Sequence, residues 1–184
     1  MKREEALELL KKYVKDEKII KHCLATEALM KKLAKRLNQD EEKWALAGLL
    51  HDIDWDITRN EPEKHSLIAE KILRDLNVEE EIISAIKIHN YIHGIEPKTL
   101  LEKALYSTEM ITGFIVAVAL VKPSRKLKDV TIQNLVEKFK EKSFAAGAKR
   151  EIISLAPQYL NLSLEEIFEI ALTAMQEIAD QLGL

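Results

Sequence analysis

Gly48-Leu49-Leu50-His51-Asp52-Ile53-Asp54 closes an apolar run with an imidazole beside a carboxylate. Helical periodicity predicts a helix from about Glu41 to Asp52, which puts the pair at its end. Neighbouring helical residues point about 100° apart, so His51 and Asp52 serve one ion only where this helix borders a cleft. Imidazole plus carboxylate is a donor set suited to Fe, Mn, Zn or Ni, and metal chemistry is the leading expectation.

Outward from this stretch the pattern stays helical. Ala6, Leu9, Leu10, Tyr13 and Val14 mark a first helix, and Ile19, Ile20, Cys23, Leu24, Met30, Leu33 and Leu37 a longer second one that contains His22. On the other side, Asp54, Asp56, Asn60 and Pro62 read as a polar loop before a helix predicted to carry His65, Ala69, Ile72 and Leu73. A helix from Val78 ends at His89-Asn90, and a long apolar one from about Lys98 to Val121 contains Glu109. Three more are expected around Val130 to Lys142, Ala148 to Pro157 and Ser163 to Leu182. No strand pattern, repeat or low-complexity linker interrupts them. The expected fold is an all-α bundle in a single domain, residues 1–184, with a motif-bearing core at about 17–121 and additional C-terminal helices at about 130–184.

Composition agrees with this class. In 184 residues, 47% hydrophobic and 32% charged positions with five glycines and four prolines favour a compact helical protein. Cys23 is alone, so the chain has no internal disulfide. The N-terminal residues run directly into an amphipathic pattern without a signal-peptide core, so a cytoplasmic location is the default expectation. The most apolar run, Ile111 to Val121, is shorter than the roughly 20 residues needed to cross a bilayer, so no membrane span is expected. The formal net charge of −3 is uneven: from Arg125 to Arg150, eight Lys/Arg against three Asp/Glu make that segment +5 and the remainder −8. Anions should prefer the later segment. No interleaving of basic and aromatic residues marks a nucleic-acid surface, and Trp44 and Trp55 read as core or rim aromatics.

The candidate ligands are His22, His51, Asp52, His65, His89 and Glu109. A carboxylate can bridge two ions where an imidazole binds one, so Asp52 is the natural bridge in a dinuclear site. His22 and Glu109 would then complete one ion's set, and His65 and His89 would hold the other. The cofactor expected is one or two divalent ions, drawn from Fe, Mn, Ni, Co or Zn, with Mg a further option.

This arrangement resembles the HD superfamily of metal-dependent hydrolases: a first histidine at His22, the pair His51-Asp52 and a final acid at Glu109, with His65 and His89 matching the longer pattern associated with dinuclear sites. The resemblance implies an HD-domain-like bundle and hydrolysis of phosphate esters or phosphoanhydrides. The final acid is usually aspartate in a context like Asp-x-Leu-Thr-Gly, whereas this chain has Glu109-Met110-Ile111-Thr112-Gly113. The extra methylene moves the carboxylate. From Lys138 to Gly147, with Arg150, the chain is similar to a group of biochemically uncharacterised HD hydrolases, so the resemblance covers nearly its whole length.

Other residues are read more plainly. Asp54 and Asp56 either orient ligands, take a proton, or cap turns. His93 reads as a surface histidine outside the metal set. Gly113, costly inside a helix, suggests a close approach by another helix. Lys142 and Arg150 are the expected substrate-phosphate contacts, Arg150 through its fork of donors.

The sequence therefore predicts a metal-dependent phosphohydrolase in which His51 and Asp52 are catalytic. Its partner would be a small phosphorylated compound, with nucleotides included in that class, and a homo-oligomer is compatible with the chain. Two rivals share the ligands: a diiron oxygenase of the HD type, because the longer pattern also resembles myo-inositol oxygenase, and a metal-bound sensor or interaction domain weakened at Glu109.

Overall fold

The computed structural model describes all 184 residues and contains twelve α-helices, two single-turn 3-10 segments and no strand. Helix α1 (Arg3–Tyr13) leads to α2 (Glu17–Arg36), which Asp16 caps by accepting a hydrogen bond from Lys18 N at 2.9 Å. Arg3 reaches across to Glu27 on α2 through Nε and a second guanidinium nitrogen, 2.5 and 2.9 Å from the two carboxylate oxygens. This pair satisfies a carboxylate that α2 buries. Asp40 caps α3 (Glu41–Leu50) in the same way, and α2 and α3 form the most extensively packed helix pair in the fold.

Gly48 allows that packing. A Cβ at this position would lie 2.7 Å from Thr26 O and 2.9 Å from Glu27 N, both backbone atoms of α2. Only glycine permits the approach. Gly113 is the reverse of its expected role: no atom lies within 4 Å of a Cβ built there, and the residue is exposed. Its presence in a helix has no packing explanation in the structure.

After α3 the chain makes a short helix, α4 (Trp55–Thr58), in the segment expected to be a loop. The α5 helix (Leu67–Asp75) starts later than expected, so His65 lies in the turn before it; Ser66, at its N-cap, has φ +69°. Then α6 (Glu80–His89) ends at its histidine, and a 3-10 turn at Tyr91–His93 follows. Helix α7 (Leu100–Leu120) begins in a reciprocal cap between Thr99 and Glu102, and buried Glu102 also accepts from Ser84 Oγ on α6 at 2.7 Å.

Helix α7 is the bundle's axis, packed by α2, α3, α6 and helices of the C-terminal segment. It is longer than its apolar run suggests and would span a bilayer by length and composition. Most of it is buried inside this fold, together with Glu102 and Glu109, as befits a core helix.

The C-terminal segment supplies α8 (Ile132–Lys140), α9 (Arg150–Ile153), α10 (Ala156–Leu160), α11 (Leu164–Glu177) and α12 (Ala179–Leu182). Two of the expected helices here are each split in two. Phe114 on α7 stacks on Phe168 at 5.9 Å and meets Phe139 and Phe144 edge-on at 5.8 and 6.1 Å. One hydrophobic cluster runs through the whole chain, from Ala6 to Leu182.

Arg150 holds this corner. Its guanidinium sits 4.7 Å from the Phe114 ring centre and 5.0 Å from that of Phe139. All of its hydrogen bonds go to backbone carbonyls: Nε to Phe139 at 3.1 Å, and the terminal nitrogens to Phe144 and Ala148 at 2.7 Å, with longer contacts to Ala145 and Glu141. The expected phosphate contact is therefore corrected, because these donors are already committed to fixing residues 139–148. Lys142 is exposed and does not line the cavity over the histidine cluster. Apart from Arg150, the cations of this segment are exposed or half-buried.

Candidate metal centre

His51 and Asp52 follow the last turn of α3, where the end of the helix lets both side chains reach one point. His51 is fully buried, and its Nδ1 donates to Gly48 O at 2.8 Å, which leaves Nε2 free to ligate. The other three histidines are oriented alike. His22 Nδ1 donates to Thr112 Oγ1 at 2.9 Å, an assignment fixed because that hydroxyl itself donates to Glu109 O. His65 Nδ1 lies 2.8 Å from Asp54 Oδ1, and His89 Nδ1 donates to Ile86 O at 2.5 Å. Each Nδ1 thus faces its support, and all four Nε2 atoms converge.

They converge in two pairs about one carboxylate. His22 Nε2 and His51 Nε2 are 3.0 Å apart and lie 3.7 and 3.4 Å from Asp52 Oδ2. His65 Nε2 and His89 Nε2 are 3.2 Å apart and lie 3.2 and 3.5 Å from Asp52 Oδ1. Each oxygen of Asp52 therefore completes its own triad, and each triad has the compactness of a metal site. Glu109 Oε2 approaches the first triad, 3.4 Å from His22 Nε2. All six expected ligands line or adjoin one pocket, with the longer acid at its edge.

Electrostatics test whether these residues fit a cation. Two imidazole nitrogens at 3.0 Å cannot both present lone pairs, so each close pair needs a shared proton or an ion between its members. In the ion-free chain protons fill this role. Burial pushes His65 down, but hydrogen bonds and charge from Asp52 and Asp54 outweigh it and raise the group to about 10. His22 is also raised against its burial, chiefly by Glu109 and Asp52. Burial lowers His51 to about 4, so it stays neutral. Burial acts to raise Asp52, yet the surrounding histidines hold it well below the carboxylate range. An ionised carboxylate ringed by imidazoles whose protons a cation can replace fits a divalent ion. Burial raises the Cys23 thiol well above its usual range, which leaves this neighbour of His22 protonated and outside the ligand set.

Several supporting residues carried little signal in the sequence. Asp54 is fully buried: besides His65 it accepts from Ser66 N at 2.8 Å and Ala69 N at 2.9 Å, so it orients a ligand and shapes the turn at once. Asp56 accepts from Lys15 N at 2.7 Å and joins the α1–α2 turn to α4. His93 is half-buried, with Nε2 2.8 Å from His65 O, a carbonyl that Asn90 Nδ2 also holds at 3.1 Å. It is a brace under the ligand turn, where the sequence suggested a surface residue.

All the candidate ligands except the fully buried His51 line a cavity of about 370 Å³ and form its floor. Its walls include Ile19, Trp55, Thr58, Arg59, Asn90, Tyr91, Met110 and Gly147. Trp55 packs edge-on against His65, ring centres 5.6 Å apart.

A family model described as HD domain matches residues 19–168, a span holding every ligand above. The chain belongs to the HD domain family. HD domains bind divalent metals, and their membership suggests a metal-dependent hydrolase. This HD domain is similar to ribonuclease Y of Lawsonia intracellularis, 26% identical over 139 residues, or 74% of this chain and 26% of that protein. It is also similar to ribonuclease Y of Nitratidesulfovibrio vulgaris strain DP4, 31% identical over 97 residues, which are 53% of this chain and 18% of that one. The chain spans about a quarter or less of the length of these curated relatives. No solved structure matches it.

Proposed function

We propose that this HD domain is a metal-dependent phosphohydrolase acting on a small phosphorylated compound, nucleotides included, with His51 and Asp52 at its catalytic centre. The observation that carries this reading is the division of Asp52 between two histidine pairs at the floor of a small cavity. His22, His51 and Asp52 Oδ2 would hold one ion; His65, His89 and Asp52 Oδ1 would hold a second. When bound, divalent ions supply an acidified water, with a pKa that can fall to about 7, and a counter-charge for phosphoryl oxygens.

The chain's own residues do the rest. The supports at Gly48, Thr112, Ile86 and Asp54 keep every Nε2 aimed inward and so remove the cost of arranging the site at each turnover. Glu109 Oε2 is positioned to complete the first set or to accept a proton from water at its edge. In the hydrolysis, a water oxygen bonds to phosphorus as the ester P–O bond breaks, and the water's proton passes to the leaving oxygen. The ribonuclease name of the relatives supports phosphate ester chemistry, while the cavity's size favours a small compound over a polymer.

The test is metal analysis followed by a screen for phosphate release from phosphorylated metabolites, with Mn, Co, Ni, Fe or Mg supplied in turn. His51→Ala and Asp52→Ala should lose metal and release no phosphate. Oxygen consumption by the iron-loaded protein without phosphate release would overturn this reading in favour of an oxygenase. Specific ligand binding without turnover, restored to turnover by Glu109→Asp, would identify the weakened sensor.

A further inference from the structure

Two polar side chains of the cavity wall are already committed within the chain. Thr58 Oγ1 donates to Asp54 O at 2.9 Å, and Asn90 Nδ2 is held by Pro62 O and His65 O at 3.0 and 3.1 Å. Among the lining residues Arg59 is the only lysine or arginine. Its side chain is exposed and makes no hydrogen bond or ion pair within the chain, as is also true of Arg125 outside the cavity lining, whereas Arg3, Arg36 and Arg74 are paired with carboxylates and Arg150 with carbonyls. The rest of the wall is apolar or aromatic: Ile19, Trp55, Tyr91, Ile92 and Met110.

Arg59 is also rigidly mounted. Its backbone N donates to Trp55 O at 2.8 Å at the end of α4, the same short helix whose first residues follow Asp54 and whose Thr58 bonds back to it. This four-residue helix and its two caps thus carry the carboxylate that orients His65, the indole that packs on His65 and the cation at the cavity wall. The guanidinium fork suits two phosphoryl oxygens at once.

We infer that Arg59 is the substrate-phosphate contact of the site proposed above, and that the cavity selects a phosphomonoester carrying a planar ring, such as an aryl or nucleoside monophosphate. This rests on the phosphohydrolase reading. The bound ions would carry most of the counter-charge of one terminal phosphoryl group, and Arg59 would add a further positive charge from the wall. A further phosphate lying away from the ions would meet no second lysine or arginine on the wall. The aromatic wall suits a planar ring on the leaving side.

The test uses the full chain loaded with Mn, inorganic phosphate as the binding probe and p-nitrophenyl phosphate as the turnover probe. Calorimetry should show phosphate binding about 10- to 100-fold weaker in Arg59→Ala, the range expected for lost charge-assisted hydrogen bonds, with metal content and circular dichroism as in wild type. Arg59→Lys should recover only part of the loss, because a point charge lacks the fork. In turnover the Ala variant should raise KM more than it lowers kcat, and bis(p-nitrophenyl) phosphate should be the poorer substrate for wild type. Unchanged phosphate affinity in Arg59→Ala, alongside wild-type hydrolysis, would overturn the role of Arg59 and leave the phosphohydrolase reading standing. A diester cleaved as fast as the monoester would overturn the substrate class. Wild-type protein that holds metal but neither binds phosphate nor releases it from any ester would sink both.

Discussion

At the scale of single residues, two glycines with opposite surroundings give a paired prediction. Gly48→Ala forces a methyl against the α2 backbone, and overpacking of this kind costs about 1–3 kcal/mol. Because His22 and His51 face each other across that contact, the variant should also bind metal less tightly; calorimetry and thermal melts check both. Gly113→Ala meets open space on an exposed helical face and should stabilise the protein by about 1 kcal/mol with metal binding unchanged. Loss of stability there would mean that the exposed face of α7 has a partner. Neither environment was legible in the sequence, where only Gly113 stood out, because a close approach is a property of two helices and not of one.

At the scale of elements, the short helix α4 and the turn after it matter most. Asp54→Asn removes the charge behind His65 while keeping its shape, and loss of such a support typically lowers metal affinity about 10- to 100-fold. The expected result is selective weakening of the ion held by His65 and His89, seen as a fall in metal stoichiometry from two toward one in metal titrations. Equal loss at both sites would argue against independent triads. The six candidate ligands named from the sequence do come together in the fold, because their spacing survives in the linear pattern. It misplaced His65 inside a helix and read α4 as a loop, because the turn depends on Asp54 bonding to Ser66 and Ala69, partners that no local propensity encodes. The long helices were legible for the opposite reason, since their apolar stripes repeat over many turns.

For the whole molecule, Arg150 and the histidine cluster set stability. Arg150→Met keeps the apolar stem but strands the carbonyls of residues 139–148, so a loss of about 2–4 kcal/mol is expected, with metal content preserved. Denaturant unfolding checks the first and metal analysis the second; retained stability together with lost phosphate binding would restore this residue as a substrate contact. The net charge of the segment suggested anion binding because formal charge is visible in sequence, whereas the commitment of a guanidinium to carbonyls is not.

The ion-free chain should also show a pH optimum of stability near neutrality. His65, near 6.5 when unfolded and about 10 when folded, contributes stability that is complete below about pH 6.5 and lost as pH rises through about 10. His51, lowered to about 4 by burial, contributes the opposite limb: stability present above about pH 6.5 is lost as pH falls toward 4. Melting temperatures of chelator-treated protein from pH 4 to 10 should pass through a maximum. Added Mn should remove the alkaline fall, because the ion replaces the protons that His22 and His65 lose, and a flat ion-free profile would reject the assigned protonation states.

The order of the ligands along the chain has a consequence for synthesis. His51, Asp52, His65 and His89 all precede α7 in the order of synthesis, whereas the first triad's outer acid, Glu109, and the hydroxyl of Thr112 that steers His22 arrive only with that axial helix. A nascent chain can therefore assemble the Asp52, His65 and His89 pocket early and finish the His22 side only when α7 docks. In a protein with a single buried thiol, the metal centre becomes a clasp that fastens the front of the chain to its middle, and it closes in two stages from the inside outward.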